Sequence, residues 1–206
     1  ISFSPNLCSE QLITYEEIYE SLSLLNLKVY TPSFYLFPSK IDKYEKKVAK
    51  GLTIAGREIG IQKLMQVNLL KRLESSVHSF DLTLNRVYNQ ITSTIKLIEE
   101  HLKKTAEAKV SDEVSSYGYD FDSEDQENEI IANKRNIIFD LADLDCLSWR
   151  DDLLSDQQVL SSLLSAVKQV TVNNDLKLTT LKDYIKSKIN NPFNTENKKL
   201  LIFTAF

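Results

Sequence analysis

From Leu70 onward the apolar positions fall at Leu70, Leu73, Val77, Phe80, Leu84, Val87 and Ile91, with steps of three and four in strict alternation. That spacing is a heptad stripe and predicts an α-helix with one narrow buried edge. Beyond Ile91 the register loosens to Ile95, Ile98 and Leu102, so the stripe drifts around the helix. The run from Ile61 to Tyr117 contains neither glycine nor proline, and one helix, straight or bent, is expected from Arg57 to Lys104. At ~1.5 Å per residue it would measure ~70 Å, too long for the core of one compact small domain. Such a helix is expected to project from larger bodies or to connect them.

Shorter helices are predicted on either side. Thr14 and Glu17 have capping-box spacing, and Tyr15, Ile18, Leu22 and Leu25 then mark an amphipathic helix. Val29–Phe37 is rich in aromatic and branched residues but is interrupted by Pro32, which predicts an extended segment or an edge strand. Ser39 is placed to cap a helix with Ile41, Tyr44 and Val48 inward and Gly51 at its end, and Gly56 and Gly60 flank the start of the long helix. In the second half, Ser148 with Asp151 resembles a capping box. Trp149, Leu153, Leu160, Leu163, Val167 and Val170 share the helical face that follows. Asp175 precedes a last helix with Leu178, Leu181, Ile185 and Ile189 on one side, ended by Asn190, Asn191 and Pro192.

Two stretches depart from the helical pattern. Ser111–Asn128 holds seven acidic residues and no basic one, which predicts a mobile loop because so little apolar surface is available to bury. Glu129–Cys146 reads either way, with isoleucines that suit a helix and an IIFDLADLD run that suits a short strand. The final residues, LLIFTAF after Lys198 and Lys199, form a continuous apolar run of the kind found in a strand buried on both faces of a parallel sheet. No β-α-β repeat accompanies it, so it is expected to open a domain that lies outside this stretch. The predicted fold class is therefore mainly α: a long-helix bundle or helical insertion, with a short β segment near Val29–Phe37 and an orphan C-terminal strand. The expected divisions are a helical region at 1–110, the acidic loop at 111–128, a second helical region at 129–191, and a linker with the orphan strand at 192–206.

Composition narrows the function classes. At 206 residues and 42% hydrophobic, the chain has enough apolar material for one good core or two small ones. It contains no apolar run near the ~20 residues that span a bilayer and no signal-peptide pattern, so no membrane partner and a cytoplasmic location are expected. Cys8 and Cys146 stand alone, which points to free thiols and to neither a disulfide framework nor a metal site. The net charge of -4 hides an asymmetry: residues 1–110 carry 15 basic and 12 acidic residues, whereas 111–206 carry 10 and 17. Between Lys40 and Arg72 nine basic residues face three acidic ones, a modest basic patch suited to a phosphate backbone or simply to solvent.

No catalytic constellation emerges. Gly51 and Gly56 have phosphate-loop spacing, but Arg57 and Glu58 stand where Lys and Ser or Thr are required, and the Glu58 carboxylate would repel a phosphate. Asp112-Glu113-Val114-Ser115 imitates the start of a metal-binding helicase box without a buried strand before it. His78 and His101 lack cysteine or histidine partners at ligand spacing. Catalytic residues and metal ligands are accordingly expected to be none.

Several segments in order, GREIGIQKLMQVNLLKRLESSVHSFDLTLNRV, the acidic break, DLLSDQQVLSSLLSAVKQV, DLKLTTLKDYI and the terminal KKLLIFTAF, resemble bacterial Swi/Snf-like members of helicase superfamily two. In that family two RecA-like lobes are joined by helical insertions, and KKLLIFTAF is similar to the opening strand of the second lobe. The resemblance implies a parent that is a nucleic-acid-stimulated ATPase, with DNA the first expectation. ATP and Mg would be bound by the parent's lobes and not by this fragment, which is expected to be inactive alone. The implied partners are the nucleic acid and the RecA-like lobes of the same chain. Within LLKRLESS, Lys71 and Arg72 lie off the apolar seam and are the expected contacts to a phosphate or to an acidic patch on a lobe. The alternative is a stand-alone helical protein-protein interaction module that binds a partner helix along the Leu70 to Ile91 seam.

Overall fold

The chain is described by a computed structural model, which covers residues 13–45, 53–107, 113–115, 137–173, 175–192, 194, 197 and 199–202. It is mainly helical: α1 Tyr15–Ser23, α2 Ile41–Glu45, α3 Ile54–Ser75, α4 Val77–Glu107, α5 Cys146–Val167 and α6 Leu176–Asn190. Glu113–Ser115 (β1) pairs antiparallel with Ile138–Asp140 (β2), Val114 opposite Phe139. That ladder places three residues of the acidic stretch in a strand and decides the 129–146 region for the strand reading at 138–140. The remainder of the acidic stretch, and Val48, Gly51 and Cys8, lie outside the described residues.

The expected single long helix is two helices. Ser76 adopts an extended backbone (φ -158, ψ 131) between α3 and α4. Its N–H donates to Arg72 O at 2.9 Å, while its own carbonyl and hydroxyl accept from Phe80 N (3.0 Å) and Ser79 N (3.4 Å). Ser76 therefore closes one helix and caps the next. A serine pair does here what glycine or proline usually does, because a short hydroxyl side chain competes for the backbone donors at a helix start. The resulting helices are ~33 and ~46 Å long. Both reach the same segment near residues 25–30: Gln62 and Gln66 of α3 donate to Asn26 O and Leu25 O, and Gln90 of α4 accepts from the Tyr30 hydroxyl.

The heptad stripe is the spine of the core. Phe80, Leu84, Val87 and Ile91 are all buried, as are Ile95 and Ile98, while Leu70, Val77 and Leu102 pack against the cluster's edge. What covers them is α5, which lies along α4 and contributes Trp149, Leu153, Leu160, Leu163, Leu164 and Val167. α5 begins three residues earlier than the Ser148 signal, because Asp145 is its cap and accepts from Ser148 N (3.2 Å) and Ser148 Oγ (2.6 Å). The Thr14 and Asp175 caps form as predicted, Thr14 with the reciprocal bond to Glu17.

Val29–Phe37 is not a strand. It folds as two 3₁₀ turns, Lys28–Tyr30 and Pro32–Tyr35, with only Leu36 bridging to Leu144. Pro32 lacks a ladder donor and starts the second turn, and Leu27 before the first adopts a left-handed conformation (φ 53). The segment is drawn into a polar frame between α3, α4 and α5. Asp156 of α5, fully buried, accepts from Asn26 N (2.8 Å) and Lys28 N (2.7 Å), and Trp149 Nε1 donates to Lys28 O (3.1 Å). Glu58 of α3, also buried, accepts from Ser33 N (3.0 Å) and Ser33 Oγ (2.5 Å).

Gly56 and Gly60 lie inside α3 and not before it. Gly56 N donates to the Thr53 cap at 3.0 Å, and a Cβ there would stand 2.9 Å from Thr53 Oγ1, so close approach explains that glycine. Gly60 is exposed and has open space around a Cβ. Gly60→Ala is expected to stabilise the chain by about 0.5–1 kcal/mol through reduced unfolded-state entropy, read as a raised urea midpoint with an unchanged slope.

Candidate functional site

The corner between α3 and α4 gathers the basic residues that the sequence singled out. Lys71 is exposed on the last turns of α3, and Arg72 beside it is half-buried and carries the carbonyl that accepts from Ser76. A third cation, Lys177 of α6, reaches the same place. Its ammonium donates to Glu74 O at 2.5 Å and Ser75 O at 2.8 Å, carbonyls within one helical turn of Lys71. The final carbonyls of a helix carry partial negative charge, so a lysine capping them is electrostatically favoured. Tyr15 of α1 also meets the corner: burial raises its phenol first, and the Glu74 carboxylate adds to the effect.

The corner thus presents three cations, Lys71, Arg72 and Lys177, against one exposed carboxylate, Glu74. Its chemistry suits electrostatic contact with an anionic partner. Sequence reasoning found two of the cations and missed Lys177, which is 103 residues from Glu74 along the chain. A signal existed: a lysine in the first turn of a helix opposes that helix's own dipole, and such placement points to a partner elsewhere.

The other polar clusters serve the fold. Asp143, buried at the start of the segment leading to α5, receives Lys40 (3.0 Å), Lys43 (2.5 Å) and the Tyr44 hydroxyl (2.7 Å). Burial alone would raise its carboxyl, but those three donors outweigh burial and hold it down at about 2. Tyr44 also accepts from Asp140 N at 3.0 Å and packs on Phe139, with ring centroids 4.8 Å apart, tying α2 to β2. Cys146 is a buried free thiol, pushed up to about 11 by burial and the neighbouring Asp145 and Asp140 carboxylates. Buried and protonated, it is no nucleophile. Among the described residues, no group of His, Cys, Asp and Glu is arranged to hold a metal ion, and no helix is long and apolar enough to cross a membrane.

The phosphate-loop imitation is resolved by geometry where it is described. Gly56 and Arg57 sit in the first turn of α3 behind the Thr53 cap, and Glu58 points into the core toward Ser33. Compared with protein family models, with curated proteins and with solved structures, the chain gives no match.

Proposed function

We propose that this chain is the helical coupling element of an ATP-dependent, nucleic-acid-stimulated helicase or translocase, and that the corner formed by Lys71, Arg72 and Lys177 is where it meets the strand or a lobe. The observation that carries this reading is the state of the C-terminal apolar residues. Leu200, Leu201 and Ile202 are 41%, 84% and 60% exposed, and they join neither β1 nor β2. A run of that composition needs neighbours on both faces, and an α/β lobe supplies them. α6 points the same way: none of its residues is fully buried, and Leu176, Leu181, Tyr184 and Ile189 stand exposed.

In this reading ATP and Mg bind at the lobes, and the α3–α5 bundle acts as a rigid arm. Closure of the lobes around ATP moves the arm, and the arm's basic corner transmits the motion to the phosphate backbone. The rigidity has a source in the packing, since α4 and α5 share a continuous apolar seam with Trp149 and Phe80 at 0% exposure. A partner helix seeking the Leu70 to Ile91 seam, as an interaction module would require, has to displace α5 from it.

Replacing Lys71 and Arg72 together with alanine is expected to lower nucleic-acid-stimulated ATPase in the full-length protein while circular dichroism and Tm stay near those of the parent. Binding of an oligonucleotide by the variant is expected to show a log K against log salt slope smaller by about 2. Stimulation and salt dependence both unchanged would remove the corner from the strand's path.

A further inference from the structure

Four phenylalanines lie in the described part of the chain, and they divide sharply. Phe80 and Phe139 are 0% exposed, whereas Phe34 and Phe37 are 55% and 44% exposed. The exposed pair is three residues apart in the anchored segment that leads from the 3₁₀ turns to α2. We propose that Phe34 and Phe37 form a stacking platform for unpaired nucleotide bases, bordered by Lys28, Lys40 and Lys43, a second strand-binding surface beyond the α3–α4 corner. The proposal rests on the nucleic-acid reading above and adds to it a site and a preference for single strands.

The local structure makes this exposure hard to explain by packing. The backbone of residues 33–37 is held at every second step: Ser33 N by Glu58 (3.0 Å), Tyr35 O by Asp145 N (2.7 Å), and Phe37 N by Asp143 O (3.0 Å). Between the two phenylalanines, Tyr35 and Leu36 are buried. The Tyr35 hydroxyl donates to Asp152 at 2.5 Å, and its ring stacks on Trp149 with centroids 5.9 Å apart. With Tyr35 and Leu36 facing inward on so fixed a backbone, Phe34 and Phe37 are held outward. Folding leaves about half of each ring in water, so burial rewards these two large apolar side chains only in part. Held rings lose little freedom on binding, which is what a stacking surface requires.

Charge selects the occupant. Lys28 Nζ already lies over the Phe34 ring, 6.0 Å from its centroid. Lys40 and Lys43 both bond the buried Asp143 carboxylate, and Phe37 N donates to the Asp143 carbonyl, which brings both ammonium groups close to the Phe37 backbone. Along the sequence from Lys28 to Lys50 there are six lysines and two acidic residues, Asp42 and Glu45, with Lys46, Lys47 and Lys50 outside the described residues. Aromatic faces between lysines match a single strand, whose bases offer π-faces and whose phosphates offer charge. An apolar protein surface would gain nothing from the lysines. In a duplex the base faces are already stacked, so the platform discriminates against it.

The test is anisotropy titration of the full 206-residue chain with a labelled oligothymidylate and with a blunt duplex of equal length. Each of Phe34→Ala and Phe37→Ala is expected to weaken oligothymidylate binding by about 5- to 100-fold, with the salt slope and duplex affinity unchanged. Phe34→Tyr with Phe37→Tyr is expected to retain binding, since the aromatic faces survive. Because both rings are exposed, thermal unfolding serves as the folding control and should shift little. Unchanged oligothymidylate affinity in the double alanine variant, while the parent chain binds, overturns the platform and leaves the corner standing. Equal losses for single strand and duplex also overturn it. If the alanine variants instead lose concentration-dependent self-association with strand affinity intact, the face belongs to a protein contact. A parent chain that binds neither oligonucleotide rejects the nucleic-acid reading itself.

Discussion

Asp156→Asn is expected to destabilise the chain by about 3 kcal/mol. The carboxylate is 1% exposed and bonds the amides of Asn26 and Lys28, clasping the left-handed Leu27 between them. An ionised carboxylate offers two acceptor oxygens to those amides. Asparagine keeps one oxygen and turns an NH₂ group toward the other amide, so one hydrogen bond becomes two opposed donors in a buried place. Burial raises the Asp156 carboxyl, and the backbone amides pull it back toward the charged form. The clasped turn is strained: Leu27 is fully buried and has φ 53, a conformation that costs a non-glycine residue roughly 1 kcal/mol. Urea denaturation of parent and variant at one neutral pH gives the difference directly. A loss under about 1 kcal/mol would show that the clasp is held by Trp149 and the apolar contacts instead.

The second large effect is a pH dependence set by Glu58. Burial drives its carboxyl up from 4.5 to about 7, against the opposing pull of the Ser33 hydroxyl and amide and of Arg57. Only one oxygen is used; Oε1 is buried without a hydrogen-bond partner. Because the folded-state value is the higher one, the folded chain binds more protons than the unfolded chain between those two values. Unfolding free energy attributable to this group therefore falls as pH rises from about 4.5 to about 7, by ~3 kcal/mol across the window. Glu58→Gln removes the titration and keeps an acceptor for Ser33. The variant is expected to match the parent near the acid end and to exceed it in stability above neutrality. Denaturation series for both proteins across that range test this: a constant difference at every pH means that Glu58 does not titrate there.

Both residues mark the boundary of what could be read from the chain. Glu58 and Asp156 sit on helices whose apolar positions were plain, and nothing in the local spacing marks either carboxylate as buried. Nothing in the spacing around Asp156 says that its partners are the amides of residues 26 and 28, because a backbone amide leaves no trace in sequence. Ser76 is a related case. A serine pair in a glycine-free helical run is compatible with continuation, and the turn becomes plain only where α3 and α4 meet the same segment. Val29–Phe37 had strand composition, but its hydrogen bonds go to the Asp143–Asp145 backbone and to side chains of α3 and α5. Composition predicts which residues are buried more reliably than what pairs with them.

The sequence by itself determined the helices with strong periodicity, the Thr14 and Asp175 caps, the buried stripe from Leu73 to Ile98, the free thiol at Cys146 and the candidate cations at Lys71 and Arg72. These depend on local spacing or on side-chain chemistry, and both are written into consecutive residues. Tertiary structure decided the break at Ser76, the 3₁₀ path of the 28–37 segment, the arrival of Lys177 at the corner and the outward setting of Phe34 and Phe37. Apart from the Ser76 break, whose bonds are local, these depend on groups distant in the chain meeting in space, as Lys177 meets Glu74 and Asp156 meets Lys28. Their contact energies exist only once the α4–α5 seam has closed.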